Sequence, residues 1–464
     1  MSIKIHNHLK KIVGSNSLLK NQCDMTPYAT EWRGLLSGKP SAVVFPASAE
    51  QISEIVKLCS SNCVSVVPQG GNTGLCGGAT PDKSNEQIVI SMKKFNKINN
   101  ISVEDYSIEA QAGCTLELLQ NVAKKNKCIF PIDMSSSGTC QIGGNISTNA
   151  GGSNVLKYGT TRSNVLGLEV VLPNGQILRD LSTLKKNTAG YDLKQLFIGA
   201  EGTLGIITAA TMKIYPMKNE IMTALIGVNS PNAVSEIFHF MKSKNKPFLE
   251  TFEIFSKRAL GLVKKNMPNV KIAINCSYQW YILAEMSLDT NECFENQLSV
   301  ISSLYNDSEI LIAKNNGESL EFWMIRDAIS ESQQKEGITF KHDISIPLSK
   351  VFEFISRAER EVIKILPKAR IIPFGHFGDG SIHFNVTQPL NMNPKIYKTY
   401  EKQISSIIYD VTKDLNGSIS SEHGIGLFKK SYLRNYKSKS ELDLMRLLKL
   451  SIDPKNIMNP NKII

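Results

Sequence analysis

Residues Pro68–Gly78 read PQGGNTGLCGG, with five glycines in the nine positions from Gly70 to Gly78, directly after the strand-like VSVVP of Val64–Pro68. Glycine loses more conformational freedom on folding than any other residue, so this density implies positive-φ turns or close approach of the backbone to a ligand. Consecutive amides in such a loop form a nest for an anion. A second stretch, SSSGTCQIGGNISTNAGGSNVLKYGTTRSNVLG at Ser135–Gly167, is again small and polar, with Gly-Gly pairs at 143–144 and 151–152. It reads as a long structureless segment, which inside a compact domain is usually functional or disordered. The glycine pairs favour backbone wrapped round something large and phosphorylated. A third stretch, GAEGTLGIIT at Gly199–Thr208, reads as a turn entering a buried strand. None of the three contains GxxxxGK followed by Ser or Thr, nor GxGxxG between a strand and a helix, which disfavours ATP hydrolysis and a Rossmann dinucleotide site.

From Ser41 to about Pro216 short β-branched runs alternate with helical patterns, as in AVVF, SAEQISEIVKLCSSN and VSVVP. Ser48 with Gln51 makes a capping-box signature, and Ile52, Ile55, Val56 and Cys59 then recur at helical spacing, which puts Cys59 in the core. The strand run ends at Val64–Val67, and Pro68 is expected to open a segment that is neither helix nor strand. Between Pro216 and Ile221 a new pattern begins: IMTALIGV as a strand, PNAVSEIFHFMKSKNK as a helix, the alternating KIAINCSYQWYILAEM, a helix around Glu318–Gln334 and a hairpin near 380. From Gly417 a loop leads to the Leu-rich helix ELDLMRLLKLSID and a Pro-rich ending. The expected division is an N-terminal helical segment 1–38, a domain 39–217, a second domain 218–416 and a C-terminal segment 417–464.

The 464 residues are 42% hydrophobic and 20% charged, an ordinary globular mixture that excludes disordered, collagen-like and coiled-coil readings. The formal charge of +11 suits anionic partners, but the basic residues come as scattered pairs such as Lys10-Lys11, Lys124-Lys125 and Lys429-Lys430, so no nucleic acid is expected. Nine cysteines without a CxxC suggest neither a disulfide framework nor a zinc ribbon and fit a reducing compartment. MSIKIHNHLKKIVG lacks the apolar stretch of a signal peptide, nowhere do ~18 apolar residues run together, and the first 30 residues contain no Arg. A soluble, cytoplasmic protein is the expectation.

Only seven histidines exist, yet three fall in PFGHFGDGSIHFNV and SSEHGIG. If Asp379-Gly380 closes as a two-residue hairpin turn, His376 and His383 face one another with Cβ atoms ~4.5–5.5 Å apart, letting two imidazoles converge on one metal ion. Asn385 shares that face. A carboxylate and an open position would complete a divalent site, and Glu422, beside His423, is the candidate. The spacing equally allows a plain cross-strand histidine pair with Glu422 at the surface. Arg326, beside Asp327, would by composition alone sit on a solvated helix face.

The three glycine-rich stretches, in this order and over this span, closely resemble the FAD-binding domain of the vanillyl-alcohol oxidase / p-cresol methylhydroxylase superfamily. RDAIS (Arg326–Ser330), FKHDISIP (Phe340–Pro347), GHFGDGSIHFN and SEHGIG are similar to its D-2-hydroxyglutarate / D-lactate dehydrogenase (glycolate oxidase-like) branch, and the similarity runs from about residue 40 to the terminal NPNKI. The resemblance implies an α+β fold: a two-subdomain FAD-binding domain of the p-cresol methylhydroxylase type, a substrate (cap) domain with an antiparallel sheet, and a C-terminal segment returning to the FAD domain. It implies a pyrophosphate held on the amides of Gly70–Gly74 and an isoalloxazine reaching the second domain. The cofactor contacts would be Pro68, Gly70, Gly71, Asn72, Thr73 and Gly74, then Ser137, Gly138, Gly143, Gly144, Asn149, Gly151 and Gly152, then Glu201, Gly202, Gly205 and Ile206. Asn72 stands where relatives carry a flavin-attaching His, so the FAD is expected to be non-covalent, with Cys76 the remaining candidate for attachment.

The same resemblance implies His376, His383 and Glu422 as ligands of a divalent metal, zinc in that branch, and Arg326, Ser330, Lys341, Asn385 and His423 as substrate contacts. Ser330 stands where some relatives have Thr and keeps the hydroxyl. In the implied reaction a D-2-hydroxy acid becomes the 2-oxo acid, with hydride passing to flavin N5 and electrons to an external acceptor such as a quinone or an electron-transfer protein. Arg326 and Lys341 would clamp the substrate carboxylate, the metal would acidify the hydroxyl, and His423 would accept its proton. Peripheral membrane contact and a homodimer stay open. So do three other readings: an O2-using oxidase of an alcohol or sugar, a zinc hydrolase whose loops are only scaffold, and a non-redox binding protein.

Overall fold

β-Branched runs and amphipathic helices alternate through the first half of the chain, and they fold into two separate sheets. The computed structural model describes residues 3–217, 221–244, 249–287, 298–303, 305 and 307–464. It divides into unit one, residues 1–152, 158–217 and 422–464, and unit two, residues 153–157 and 218–421.

In unit one, strands Ala42–Val44, Ile88–Ser91 and Val66–Gln69 are parallel, and Leu18–Leu19 adds an antiparallel edge. Pro68 lies inside Val66–Gln69 and does not open the loop as expected. The strand is at the other edge of its sheet, where a missing N–H is tolerated. Helix Ala49–Ser61 is capped by the Ser48 hydroxyl, which accepts from the Gln51 amide at 3.2 Å. The Gln51 side chain turns instead to the Ala47 amide, 2.7 Å away, so the box is not reciprocal. Ile52, Ile55, Val56 and Cys59 are fully buried, and burial pushes the Cys59 thiol up to about 12.

The second sheet of unit one is antiparallel, in the order Ile98–Ser102, Ser107–Gln111, Ile206–Lys213, Val165–Val171, Ile177–Asp180. The N-terminal helix Ile3–Val13 does not stand apart: Ile5, Leu9 and Val13 enter the same core. Nor is Ser135–Gly167 structureless. Ile142–Thr148 is helical, with single turns at Val155–Tyr158 and Thr161–Asn164. Ile142 and Ile146 anchor that helix in the core. After helix Lys439–Ile452, opened by a Ser438/Glu441 capping box, the chain brings Ile457 and Met458 into this core, and Met458 bridges Val66 in parallel.

Unit two is built on one antiparallel sheet. Its order is Glu309–Ile312, Ile221–Val228, Trp280–Ser287, Leu249–Ser256, Arg370–Gly375, Ser381–Thr387, Thr339–Phe340, with Asp343–Ser345 also on Ser381–Thr387. The alternating stretch expected as a strand from Lys271 becomes one only at Trp280. Helices Lys257–Asn266 and Asn316–Gln334 meet the sheet in one core, where Leu260, Ile325 and Ile329 pack with Phe255, Tyr281 and Phe374. Residues 153–157 join this unit, and Lys157 Nζ pairs with Glu250 and lies 3.3 Å from Ser287 Oγ. The expected boundary at 217/218 is followed by residues 218–220, which lie outside the described residues. At the far end unit two extends to 421 and not 416, because Ser345 and Ser418 exchange backbone hydrogen bonds of 3.0 and 2.7 Å.

Candidate functional site

In unit one the strand Val66–Gln69 delivers the first glycine loop. Among the described residues, no amide from Gly71 to Leu75 donates a hydrogen bond, although backbone donors almost always find acceptors. Asn72 takes the left-handed conformation, φ 54°, and its amide group donates to the Pro27 and Thr30 carbonyls at 3.1 and 2.9 Å. Thus Asn72 shapes the loop. Gly71 is needed by the protein itself, because a Cβ there would lie 2.1 Å from the Thr139 carbonyl oxygen. Gly74 and Gly144 are different: among the described residues, a Cβ on either meets nothing within 4 Å beyond its local backbone. Beside Gly144, the buried Gln141 Oε1 and Asn145 Oδ1 have no hydrogen-bond partner among the described residues. Unengaged donors, two open glycines and orphaned acceptors fit a large polar cofactor lying along this backbone.

The other cofactor candidates divide in the same way. The Ser137 hydroxyl is 3.2 Å from Asp133 and also donates to the Met134 carbonyl, and Gly138 follows it in the turn. Asn149 is left-handed, φ 49°, and accepts the Arg162 amide at 2.9 Å; Ala150, Gly151 and Gly152 then continue the loop. In the third stretch the side chains are committed to unit one. Glu201 is buried and accepts the amides of Ile425 and Gly426 at 2.7 and 2.8 Å; burial pushes its carboxyl up, and those amides pull the other way. Gly202 packs on Pro68, Gly205 lies against Val170, and Ile206 is buried in the core. The Cys76 thiol is buried and donates to the Gly424 carbonyl at 3.3 Å. Glu422 and His423 also belong to unit one, and Glu422 Oε1 accepts the Gly152 amide at 3.1 Å.

In unit two the hairpin forms, but not in the expected register. Phe374 pairs with His383, so the pairing is shifted by two residues and His376 lies beyond the paired strand end. Phe377–Asp379 form a 3-10 turn, Gly380 takes φ 81°, and the Ser381 amide reaches both the His376 carbonyl at 3.1 Å and the Asp379 carboxylate at 2.9 Å. Asp379 therefore closes a wider loop than a two-residue turn. Gly375, φ 151°, bends the incoming strand, and the two imidazoles still approach, with centroids 5.8 Å apart.

Arg326, on helix Asn316–Gln334, reaches the same place. Its Nε donates to Glu253 at 2.8 Å, and the other Glu253 oxygen pairs with His376 Nδ1. The guanidinium lies 5.3 Å from the Phe374 ring centre, and the Phe374 ring is 5.0 Å from that of His383. The Arg326 side chain is 12% exposed, so it is not on a solvated helix face. Burial alone would raise the Glu253 carboxyl, but His376 and Arg326 outweigh it and hold it well below the usual carboxylate range. Glu253 was missed in the sequence. Its signal was two carboxylates, Glu250 and Glu253, inside the otherwise apolar LETFEIFS.

Ser330 lies one helical turn beyond Arg326. Asn385, two residues after His383, donates to the fully buried Gln333 at 2.9 Å. Pairing of Phe340 with Val386 and of Asp343 with His383 puts Lys341 opposite Asn385. Unit two thus joins Arg326 and His376 through Glu253, with His383 beside His376 and with Asn385 and Lys341 further along the same strand pair. Two imidazoles with a carboxylate behind one of them are a donor set suited to a divalent cation.

Residues 40–180 match the family described as FAD binding domain, and residues 217–463 match FAD linked oxidases, C-terminal domain. The chain is 32% identical over 462 residues to the mitochondrial D-2-hydroxyglutarate dehydrogenase of Arabidopsis thaliana, covering 99% of this chain and 81% of that protein. It is 33% identical over 460 residues to the D-2-hydroxyglutarate dehydrogenase of Stutzerimonas stutzeri, covering 98% of both. Among solved structures, p-cresol methylhydroxylase with substrate bound superposes with a TM-score of 0.80 at 16% identity, over 99% of this chain and 96% of that one, a likeness of fold. Among the described residues no helix is long and apolar enough to cross a membrane.

Proposed function

Since the chain belongs to the FAD-linked oxidases, with an FAD-binding domain ahead of their C-terminal domain, we propose that it dehydrogenates a D-2-hydroxy acid of the D-2-hydroxyglutarate or D-lactate class to the 2-oxo acid. The observation that carries this reading is the cluster in unit two, where Arg326 and His376 both bond one buried carboxylate and the His383 ring lies beside that of His376. An anion clamp beside imidazole ligands is what an α-hydroxy acid requires, because its carboxylate must be held and its hydroxyl acidified.

The FAD, when bound along the glycine loops of unit one, supplies the two-electron acceptor for the C2 hydrogen. Its pyrophosphate is assigned to the amides of Gly70–Gly74, and its attachment is non-covalent, since Asn72 is occupied with loop carbonyls and the Cys76 thiol is buried. His376, His383 and Glu422 would hold a divalent cation, and zinc, which suits imidazole and carboxylate donors, would supply charge that lowers the pKa of the hydroxyl. Arg326 offers its planar fork to the substrate carboxylate and Lys341 a point charge. Asn385, oriented by Gln333, and the Ser330 hydroxyl supply further hydrogen bonds. His423 accepts the hydroxyl proton, a task suited to an imidazole near neutral pH. The electrons then leave to an external acceptor.

The test is an anaerobic spectral titration of the purified yellow protein. D-2-hydroxyglutarate or D-lactate should bleach the flavin, the L-acids should not, and prior treatment with a chelator should slow bleaching, with zinc restoring it. His376→Ala should lose both bound metal and bleaching. A colourless protein, or bleaching by L-acids alone, rejects the proposal.

A further inference from the structure

Resting on the functional reading above, we propose that Glu253 is the positioning residue of the site, fixing at once which ring nitrogen His376 offers to a cation and how Arg326 presents its fork to the acid. Glu253 is completely buried in strand Leu249–Ser256, between Phe252 and Ile254, which are also buried. A carboxylate in such surroundings is retained only with charged and hydrogen-bonding partners, and Glu253 has the Arg326 guanidinium on one oxygen and the His376 imidazole on the other. An ionised carboxylate can only accept, so the His376 Nδ1 facing it must carry the hydrogen. The lone pair of the neutral ring is then on Nε2, which makes Nε2 the nitrogen able to ligate a metal. A carboxylate behind a ligating imidazole fixes its tautomer and orientation and raises its basicity.

The second oxygen acts on Arg326. It takes the Nε hydrogen at 2.8 Å, so the guanidinium edge formed by the two terminal nitrogens is the one presented to an anion. The Phe374 ring, 5.3 Å from the guanidinium carbon, limits rotation about that bond. One buried carboxylate therefore sets two groups that the proposed reaction uses for different tasks, and neither Arg326 nor His376 keeps its attitude if Glu253 changes.

The experiment uses the flavin-loaded protein and Glu253→Gln, which keeps the shape and removes the charge. Zinc affinity is measured by competition with a chromogenic chelator, with His376→Ala as the reference and with far-UV circular dichroism and flavin content as controls. Glu253→Gln should bind zinc about 10–100-fold more weakly and show a raised KM for the acid, with unchanged flavin content. If His376→Ala loses zinc while Glu253→Gln binds it within about twofold of the natural protein, a change too small for an outer-sphere ligand, the role of Glu253 is overturned and the metal reading stands. If His376→Ala itself holds zinc normally, the functional reading fails first. Should Glu253→Gln not fold, 15N spectra of histidine-labelled, metal-stripped natural protein decide. The resonance assigned by its loss in His376→Asn must show the Nδ1–H tautomer, and the Nε2–H tautomer overturns the proposal.

Discussion

A methyl group at position 144 and one at position 71 should have opposite consequences. Gly71→Ala pushes a Cβ to 2.1 Å from the Thr139 carbonyl oxygen, and the apoprotein should lose about 1–3 kcal/mol of stability as the loop yields. A Cβ in Gly144→Ala meets nothing within 4 Å beyond its own helix backbone and chain neighbours among the described residues, and the position lies in helix Ile142–Thr148, so the apoprotein should gain about 0.5 kcal/mol. Its flavin affinity should nevertheless fall at least severalfold, as measured by flavin release on dilution with thermal melting of the apoprotein alongside. A second substitution addresses the clamp. Arg326→Lys keeps the charge but not the fork or the Nε contact to Glu253, and steady-state kinetics should show KM for the acid raised about tenfold, with a smaller change in kcat. At this scale the sequence revealed residue types but not partners. His376, His383 and Arg326 could be picked out because imidazoles and guanidinium groups in short distinctive motifs suggest chemistry. Glu253 could not, because its two partners are 73 and 123 residues away in the chain. Only the folded sheet makes that carboxylate necessary.

Helices and strands were legible where periodicity was strong, as in Ala49–Ser61 and Asn316–Gln334. The hairpin shows the limit. Asp379-Gly380 is a strong two-residue turn signal, but the Asp379 carboxylate captures the Ser381 amide and the loop widens, so the register differs although the histidines still meet. What holds helix Asn316–Gln334 against its neighbours is likewise non-local. Just beyond its end, the Glu336 carboxylate accepts from Lys265 and Asn266, both at 2.7 Å, and pairs with Arg370. The Lys265 hydrogen bond is the largest influence, burial opposes it, and together with Asn266 and Arg370 it brings the Glu336 carboxyl from 4.5 down to about 2. A carboxyl depressed by folding stabilises the native state above its unfolded pKa, and that contribution fades as pH falls through about 4.5 toward about 2. Glu336→Gln should therefore cost on the order of 2 kcal/mol at neutral pH. Urea unfolding at pH 7 and pH 3 should show the gap to the natural protein narrowing at the lower value.

Across the whole molecule, the glycine-rich stretches and the terminal NPNKI announced an FAD-binding architecture, but not how the last residues secure it. Asn459, almost fully buried, donates to the Gly78 and Glu201 carbonyls at 2.9 and 2.7 Å, and Lys462 donates to the Thr80 carbonyl at 2.8 Å. These bonds tie the first and third glycine stretches together within unit one. Asn459→Ala removes two buried hydrogen bonds, so it should lower stability by about 2 kcal/mol and weaken flavin retention, seen as a lower melting temperature and a lower ratio of visible to ultraviolet absorbance. Unit two, by contrast, contains nothing beyond residue 421. During synthesis, then, the interrupted order of the chain sets a timetable. Once residue 421 has emerged from the ribosome, the inserted sheet has every strand it needs. The earlier half must wait with an open edge beside Val66 until Met458 leaves the exit tunnel, so an unpaired strand edge stays exposed in the interval.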